Sequence, residues 1–534
     1  MATVDTHPDH VATAAARAGW VPKTSPTLPG QYDHPWLCRL FLFVWCGVLF
    51  FYGLSAGQLW KTEGLRAIIA AEFLRTGNWI VPTLYGEPLF TKPPGMYAAI
   101  AIASLPFGQV SEWTARLPSA MAALLTVLML YGYFTRQFGR RGGLLIAVLA
   151  PMSPLWLDKA TAAEIDMMQV MWVTGSILCL LRVVENVRCP LSAVLCPKGV
   201  GYWTPDSGQR TPDTFVWWLG ALLCVAGGVL TKWTAPAFFY ATAVPLLLWR
   251  GQLRLLFGWR HLLAAAIGAS LVLAWIGAAV AITGWDVFYE TVKREALQRM
   301  LPGYAPTPDP WYVSLLHPFR LWYTNLPWSL VALVACRPSF GRLWDERGRL
   351  LWQTLHCWIW PNIVIWSLML DHKPRHSFPL FPGFAGLAAM VWLAWLDGRL
   401  PWKWRVKPSR ILVGSVVCWL ALKLIFVHVI LPHRQHNRDP RGKAAILASL
   451  VPQNCVLYLF QIKDEGIMFY FGRPVLRLDG PAELPSSAEP LYCIVKESEW
   501  NHWRQTTNRQ AVAVTMVPDE QGDPMVLIRV QNDL

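Results

Sequence analysis

Residues 37–57 read LCRLFLFVWCGVLFFYGLSAG, and a short polar turn ending in Lys61-Thr62-Glu63 follows. A helix rises about 1.5 Å per residue, so an apolar run of this length crosses the roughly 30 Å hydrocarbon layer of a bilayer. The 36 residues before it are polar and proline-rich, with no short cleavable apolar core. The run therefore predicts a retained membrane anchor behind a polar cytoplasmic segment, 1–36.

Working outward, apolar runs recur at about 115–135, 143–161, 166–184, 214–231, 233–249, 261–283, 319–336, 350–370, 377–397 and 411–431. The predicted fold class is thus mainly α, a polytopic membrane protein with about 11–13 transmembrane helices. Composition agrees: 54% of residues are hydrophobic and 15% charged, well short of the quarter typical of soluble chains. The 31 tryptophans suit rings that settle at membrane interfaces.

A net charge of +14 raises the question of nucleic acid. The basic residues are instead scattered over short loops between apolar runs, which excludes a nucleic-acid face and favours contact with membrane lipids. Arg136, Arg140 and Arg141 fall in one loop; Arg182, Arg188, Lys198 and Arg210 in the next alternate one; Arg250, Arg254 and Arg260 in the next. Arg337, Arg342, Arg347 and Arg349, then Arg399, Lys403, Arg405, Lys407 and Arg410, continue the series. Lys and Arg collect on the cytoplasmic side, so the N-terminus is expected inside, in a plasma (inner) membrane. The loop 58–114, the turns near 162–166, 231–233 and 371–376, the loop 284–318 and the tail 432–534 are then extracytoplasmic.

The tail differs in character. Residues 455–462, 474–478, 491–495, 512–516 and 525–530 read as short strands, with helical material near 441–452 and 496–505. It is expected to be a small soluble α/β domain, after a transmembrane domain spanning 37–431. Cys455 and Cys493 both lie in it and could pair, while cysteines within apolar runs, such as Cys46 and Cys179, read as small hydrophobes. Cys/His zinc spacing is missing from the sequence.

The loop 58–114 carries the chemistry. Glu63 sits at the interface, and 63–75 is expected to form a short helix along the membrane with Ile68, Ile69, Phe73 and Leu74 on its apolar side. Pro93 and Pro94 stiffen the backbone after Lys92 and hold its ammonium in place.

The stretches Arg75-Thr-Gly-Asn-Trp-Ile-Val-Pro82, Gly86-Glu-Pro, Lys92-Pro-Pro and Ala115-Arg-Leu-Pro-Ser, with Asp166, Leu230-Thr-Lys232 and Lys373-Pro-Arg-His376, resemble a known pattern. It is that of the GT-C glycosyltransferases related to protein O-mannosyltransferases and lipid A aminoarabinose transferases, over about 50–400. The resemblance implies a GT-C fold and transfer of a sugar from a polyprenyl-phosphate carrier to a lipid or protein acceptor. Two departures stand out. The acidic pair common after the first span is Thr62-Glu63 here, and the acid common before the KPP lysine is Thr91. No cofactor is therefore expected; a divalent metal is conceivable but lacks support, and no metal ligands are assigned.

The chemistry suits the residue types. An acceptor hydroxyl sheds its proton as it attacks the anomeric carbon, which asks for a carboxylate. Charge grows on the leaving lipid phosphate, which asks for cations. Glu63 is the candidate base and Asp166 the residue that orients the acceptor or assists, in an inverting transfer. Lys92, Lys232, Lys373, Arg375 and His376 are the candidate phosphate-binding groups. Each has a plainer reading: Glu63 and Asp166 as helix-end acids, Lys232 as a snorkelling lysine, and 373–376 as a basic turn on lipid head groups. Glu164 competes with Asp166, while Glu72 and Glu87 read as structural. The loop 284–318 is expected to be mobile and to gate entry. The rival reading is a transporter or flippase of lipid-linked substrates, whose polar features would sit at the bilayer midplane. A non-catalytic scaffold is the third.

Overall fold

A computed structural model of the chain describes residues 35–187, 214–300, 310–369, 372–487, 489–506 and 510–531. Most of residues 1–36, the basic residues Arg188, Lys198 and Arg210, and the Tyr304-Ala-Pro stretch lie outside them.

Helix α1 (Pro35–Cys46) runs on through a wider π turn at Gly47–Phe51. The first loop then folds as α2 (Thr62–Thr76), a two-residue hairpin β1 (Thr83–Leu84) and β2 (Glu87–Pro88), and α3 (Gly95–Ser104). Glu72 acts structurally, as expected: its carboxylate accepts the Thr83 hydroxyl and, at 2.8 Å, the Tyr85 N–H. The apolar side of α2 differs from expectation. Ile69 and Phe73 are fully buried, and the helix packs against α3 and the tail rather than against lipid.

Helix α4 (Glu112–Leu149) begins at a capping box, in which Ser111 and Thr114 each satisfy the other's backbone N–H. The two spans expected at 115–135 and 143–161 are one run bent at Gly139, whose φ of 70° breaks the helical path. That run stops at Leu149, and a short α5 (Pro154–Lys159) starts on a Ser153 cap. Helices α6 (Ile165–Asn186), α7 (Thr214–Thr231), α8 (Ala235–Trp249) and α9 (Trp259–Thr283) follow. Of the loop 284–318, the described residues form α10 (Trp285–Met300) and the start of α11 (Trp311–Thr324). Phe288 of α10 meets Phe90 edge-on at 5.0 Å, two residues before Lys92.

The span expected at 319–336 is also broken. Its first half is α11, and after Pro327, which offers no N–H, α12 (Trp328–Ala332) starts afresh. Helix α13 (Glu346–Ser367) is capped by Asp345, and α14 (Phe381–Leu396) is buried along most of its length at the centre of the bundle. Helices α15 (Pro408–Ile425), α16 (Leu431–Arg438) and α17 (Pro440–Leu450) lead into the tail.

Among the described residues, six helical runs are long and apolar enough to cross a bilayer. They are Glu112–Leu149, Ile165–Asn186, Thr214–Thr231, Trp259–Thr283, Pro374–Leu396 and Pro408–Leu450, with three shorter apolar helices beside them. The chain is a polytopic membrane protein, mainly α-helical.

The tail is the small α/β unit read from the sequence. Strands β3 (Leu457–Leu459), β4 (Val475–Arg477), β5 (Leu491–Lys496), β6 (Ala511–Pro518) and β7 (Pro524–Val530) form one sheet in the order β4-β3-β5-β7-β6. The first three are parallel, and β7 and β6 are antiparallel additions. Helix α18 (Glu465–Phe471) lies between β3 and β4, and α19 (Glu497–Thr506) follows β5. Cys455 and Cys493 are free thiols and do not pair.

Candidate active site at the 160–166 turn

The turn between α5 and α6 is where the expected residues meet. Side chains of α2 and α4 supply partners for its backbone: Arg66 donates to the Ala163 carbonyl at 3.2 Å and Ser119 to the Glu164 carbonyl at 3.0 Å. Glu63, in the first turn of α2, accepts the Ala163 N–H at 2.8 Å. Thr62 donates its hydroxyl to Glu164 at 2.8 Å, and Arg66, one helical turn on, reaches the same carboxylate at 3.0 Å.

Arg116 locks this arrangement from α4. Its guanidinium grips Glu63 at both oxygens, Nε to Oε1 at 2.9 Å and Nη2 to Oε2 at 3.2 Å. Its remaining N–H groups donate to the carbonyls of Leu54, Ala56, Gly57 and Gln58. A planar fork with five donors is the side chain that can close a turn and align a carboxylate together.

Asp166, at the start of α6, forms a buried ion pair with Lys232, Nζ to Oδ1 at 2.8 Å. Arg375 and Lys159 add positive charge to the same carboxylate. The segment Pro374–Leu380 packs onto α6, and Phe378 meets Trp156 of α5 edge-on at 5.8 Å. Lys92 enters through its own turn: Gly95 sits so tightly on the end of α7 that an added Cβ would lie 2.7 Å from the Leu230 carbonyl, two residues before Lys232. The Lys92 ammonium donates to the Thr91 carbonyl at 2.7 Å.

The structure thus gathers Glu63, Asp166, Lys232 and Arg375 around one turn and brings the segment after Lys92 against the end of α7 that carries Lys232. His376 is half-buried and Lys373 exposed, at the rim of the same segment. Behind them, His317 faces His372 with ring centroids 5.7 Å apart and bonds to Ser367 at 3.0 Å.

Sequence reasoning missed Arg66, Arg116 and Lys159. Arg116 lies within a quoted motif, and a cation four residues after the acid that opens a span was the signal for it. Arg66 is four residues after Thr62, one turn along the same helix face. Lys159 offered no pattern beyond a charge near a helix end. Among the described residues, no group of three or more His, Cys, Asp or Glu side chains gathers as metal ligands. A crevice of about 980 Å³ lies in the tail, at the ends of β3 and β5, rather than at this turn.

The class of protein is set by these features: a polytopic membrane fold whose charged constellation sits at one end of the bundle beside a small α/β domain. The comparisons give it a place. The family described as dolichyl-phosphate-mannose-protein mannosyltransferase matches residues 91–204. An undecaprenyl phosphate-alpha-4-amino-4-deoxy-L-arabinose arabinosyl transferase from Pseudomonas aeruginosa is 28% identical over 352 residues, 64% of this chain and 57% of that protein. A second transferase of that description, from Pseudomonas fluorescens, is 24% identical over 70% of this chain and 58% of its own length. The chain therefore spans less than two thirds of the curated relatives it matches.

The crystal structure of ArnT from Cupriavidus metallidurans bound to undecaprenyl phosphate superposes with a TM-score of 0.69. Identity is 18%, and the match covers 92% of this chain and 98% of that one. The apo form of the same protein gives 0.68 at 16% identity. At such identity the likeness shows the fold, and the GT-C fold expected from the motifs is the fold observed.

Proposed function

We propose that this chain is an integral membrane glycosyltransferase that moves a sugar from a polyprenyl-phosphate donor to a lipid or protein acceptor. The supporting observation is the convergence of carboxylates and cations on the 160–166 turn. The similar proteins named above carry undecaprenyl phosphate and an arabinosyl transfer in their descriptions, which favours a lipid-linked donor here as well. The alternating basic loops favour an extracytoplasmic site in an inner membrane.

The residues divide the work. Transfer breaks the bond from the anomeric carbon to the phosphate oxygen and forms one to the acceptor oxygen, whose proton leaves to a base. Three acids surround the turn: the Glu63 side chain is 15% exposed, Glu164 8% and Asp166 4%. Glu63 is the most accessible of the three, and its Oε2, held among the described residues by Arg116, keeps a lone pair for the incoming proton. The Arg116 grip fixes where that lone pair points. Asp166 is spent on Lys232 and serves to hold that ammonium at the site. Lys92, Lys232 and Arg375, with Lys373 and His376 at the rim, offset the charge that grows on the departing phosphate. With this much fixed positive charge, the reaction is proposed to run without a divalent metal.

The test is reconstitution of the purified chain with undecaprenyl-phosphate sugars and an envelope lipid extract. Glu63→Gln is expected to keep undecaprenyl phosphate binding and lose transfer. Equal turnover by that variant removes Glu63 from the mechanism, and turnover abolished by EDTA overturns the metal-free reading.

A further inference from the structure

We infer that Glu520, at the tip of the β6–β7 hairpin, is a positioning residue for Glu63, so that the tail domain sets the geometry of the transfer site. The inference rests on the reading of Glu63 given above.

The Glu520 carboxylate crosses from the tail into the first loop. Its Oε2 accepts the Lys61 N–H at 2.7 Å and its Oε1 accepts the Ile467 N–H at 3.1 Å, so one side chain pins the loop and α18 together. The Lys61 backbone needs pinning. Its φ of 46° and ψ of −118° lie where a side chain with a Cβ is strained, at the residue just before α2. Such a conformation persists only when neighbouring groups dictate it. Two residues later comes Glu63, and the direction in which α2 sets out is fixed at Lys61.

A second tie acts beside the first. The Leu59 N–H donates to the Tyr470 hydroxyl at 2.8 Å, again a tail group on a loop amide. The backbones themselves are in contact: an added Cβ on Gly64 would lie 2.5 Å from the Gly466 nitrogen. Simple adhesion between two domains would be better served by apolar side chains. Burying Glu520 beside Asp464 and Glu465 is costly, and what it gains is a pair of directed bonds, to the Lys61 amide of the loop and the Ile467 amide of the tail.

Hydrogen exchange of the full-length protein in nanodiscs, together with steady-state transfer, tests this. In Glu520→Ala, the peptide covering 58–66 is expected to exchange about tenfold faster, because one buried bond to its amide is gone. The turnover number is expected to fall about tenfold or more, with the KM for donor lipid unchanged, since displacement of a reacting group costs rate rather than binding. Glu520→Gln keeps one acceptor oxygen and should restore part of both. Normal turnover in Glu520→Ala with faster exchange at 58–66 overturns the inference, as does unchanged exchange. Should Glu520→Ala unfold the tail, seen as lost protection at 491–496, Tyr470→Phe decides by the same two readouts. A wild-type chain that transfers no sugar defeats the transferase reading instead, and the exchange measurement still reports whether the tail holds the turn.

Discussion

Lys232 and Asp166 form a buried ion pair across 2.8 Å, joining the end of α7 to the start of α6. Both side chains are almost wholly removed from solvent, so each is the other's hydrogen-bonded compensation. Lys232→Met deprives the buried Asp166 carboxylate of its hydrogen-bonded cation, leaving only the charges of Arg375 and Lys159 near it, and is expected to destabilise the protein by about 3 kcal/mol. The double variant Lys232→Met with Asp166→Leu is expected to recover much of that stability while remaining inactive. Thermal unfolding in detergent, set beside transfer assays, separates the two effects.

Arg116 holds five partners, the Glu63 carboxylate and four carbonyls. Arg116→Lys keeps the charge but cannot reproduce the fork. Loss of transfer by at least about a hundredfold is expected, with a destabilisation of about 2–3 kcal/mol from carbonyls left unpaired. Near-normal transfer in this variant would show that alignment of Glu63 by a planar group is unnecessary.

Lys92 is a binding group in the proposed reaction. Lys92→Ala is expected to weaken undecaprenyl phosphate binding about tenfold or more, and Lys92→Arg to retain part of it. Titration with the lipid in nanodiscs gives the affinity directly, without need of the sugar or the acceptor.

The junction of tail and loop carries a pH dependence of definite sign. Burial, reinforced by Asp464 and Glu465, raises the Glu520 carboxyl to about 7 against bonds from the Lys61 and Ile467 amides. Burial likewise raises Asp464 to about 6, with Asp519 and Glu465 adding to it and Lys443 opposing. An acid whose folded pKa lies above its unfolded value stabilises most below the unfolded value and loses that contribution as pH climbs through the folded one. The tail is therefore expected to be less stable at pH 8 than at pH 5, by about 2 kcal/mol from Glu520 alone. Urea unfolding followed through tail tryptophans such as Trp503 measures it, and Glu520→Gln should flatten the slope.

Much of this molecule is legible in its sequence. Length and apolarity predict spans because lipid leaves a helix no other way to satisfy its backbone. The tail strands follow from short β-branched runs such as Val512–Met516. What failed were boundaries set by single residues: Gly139 bends one long helix where two were expected, and Pro327 splits another. The candidate acids and cations stood out because ionisable side chains in or at the ends of apolar spans are costly and sparse. Arg116 and Arg66 left only a helical spacing as a signal, and Glu520 left none, since their meaning lies in which distant groups they reach. Glu520 sits 457 positions along from Glu63 by subtraction of their numbers, and no local pattern spans that gap.

The glycine-to-glycine contact between Gly64 and Gly466 has a practical consequence for anyone recombining these proteins. A methyl group on Gly64 would run into the Gly466 nitrogen and the Glu465 carbonyl, and one on Gly466 into the Leu59 carbonyl and the Glu520 carboxylate, so the amino-terminal loop and the carboxy-terminal unit form a matched set. A chimera that imports a foreign carboxy-terminal unit will misalign the entrance to α2 unless the partner glycine travels with it, however well the transplanted piece folds alone.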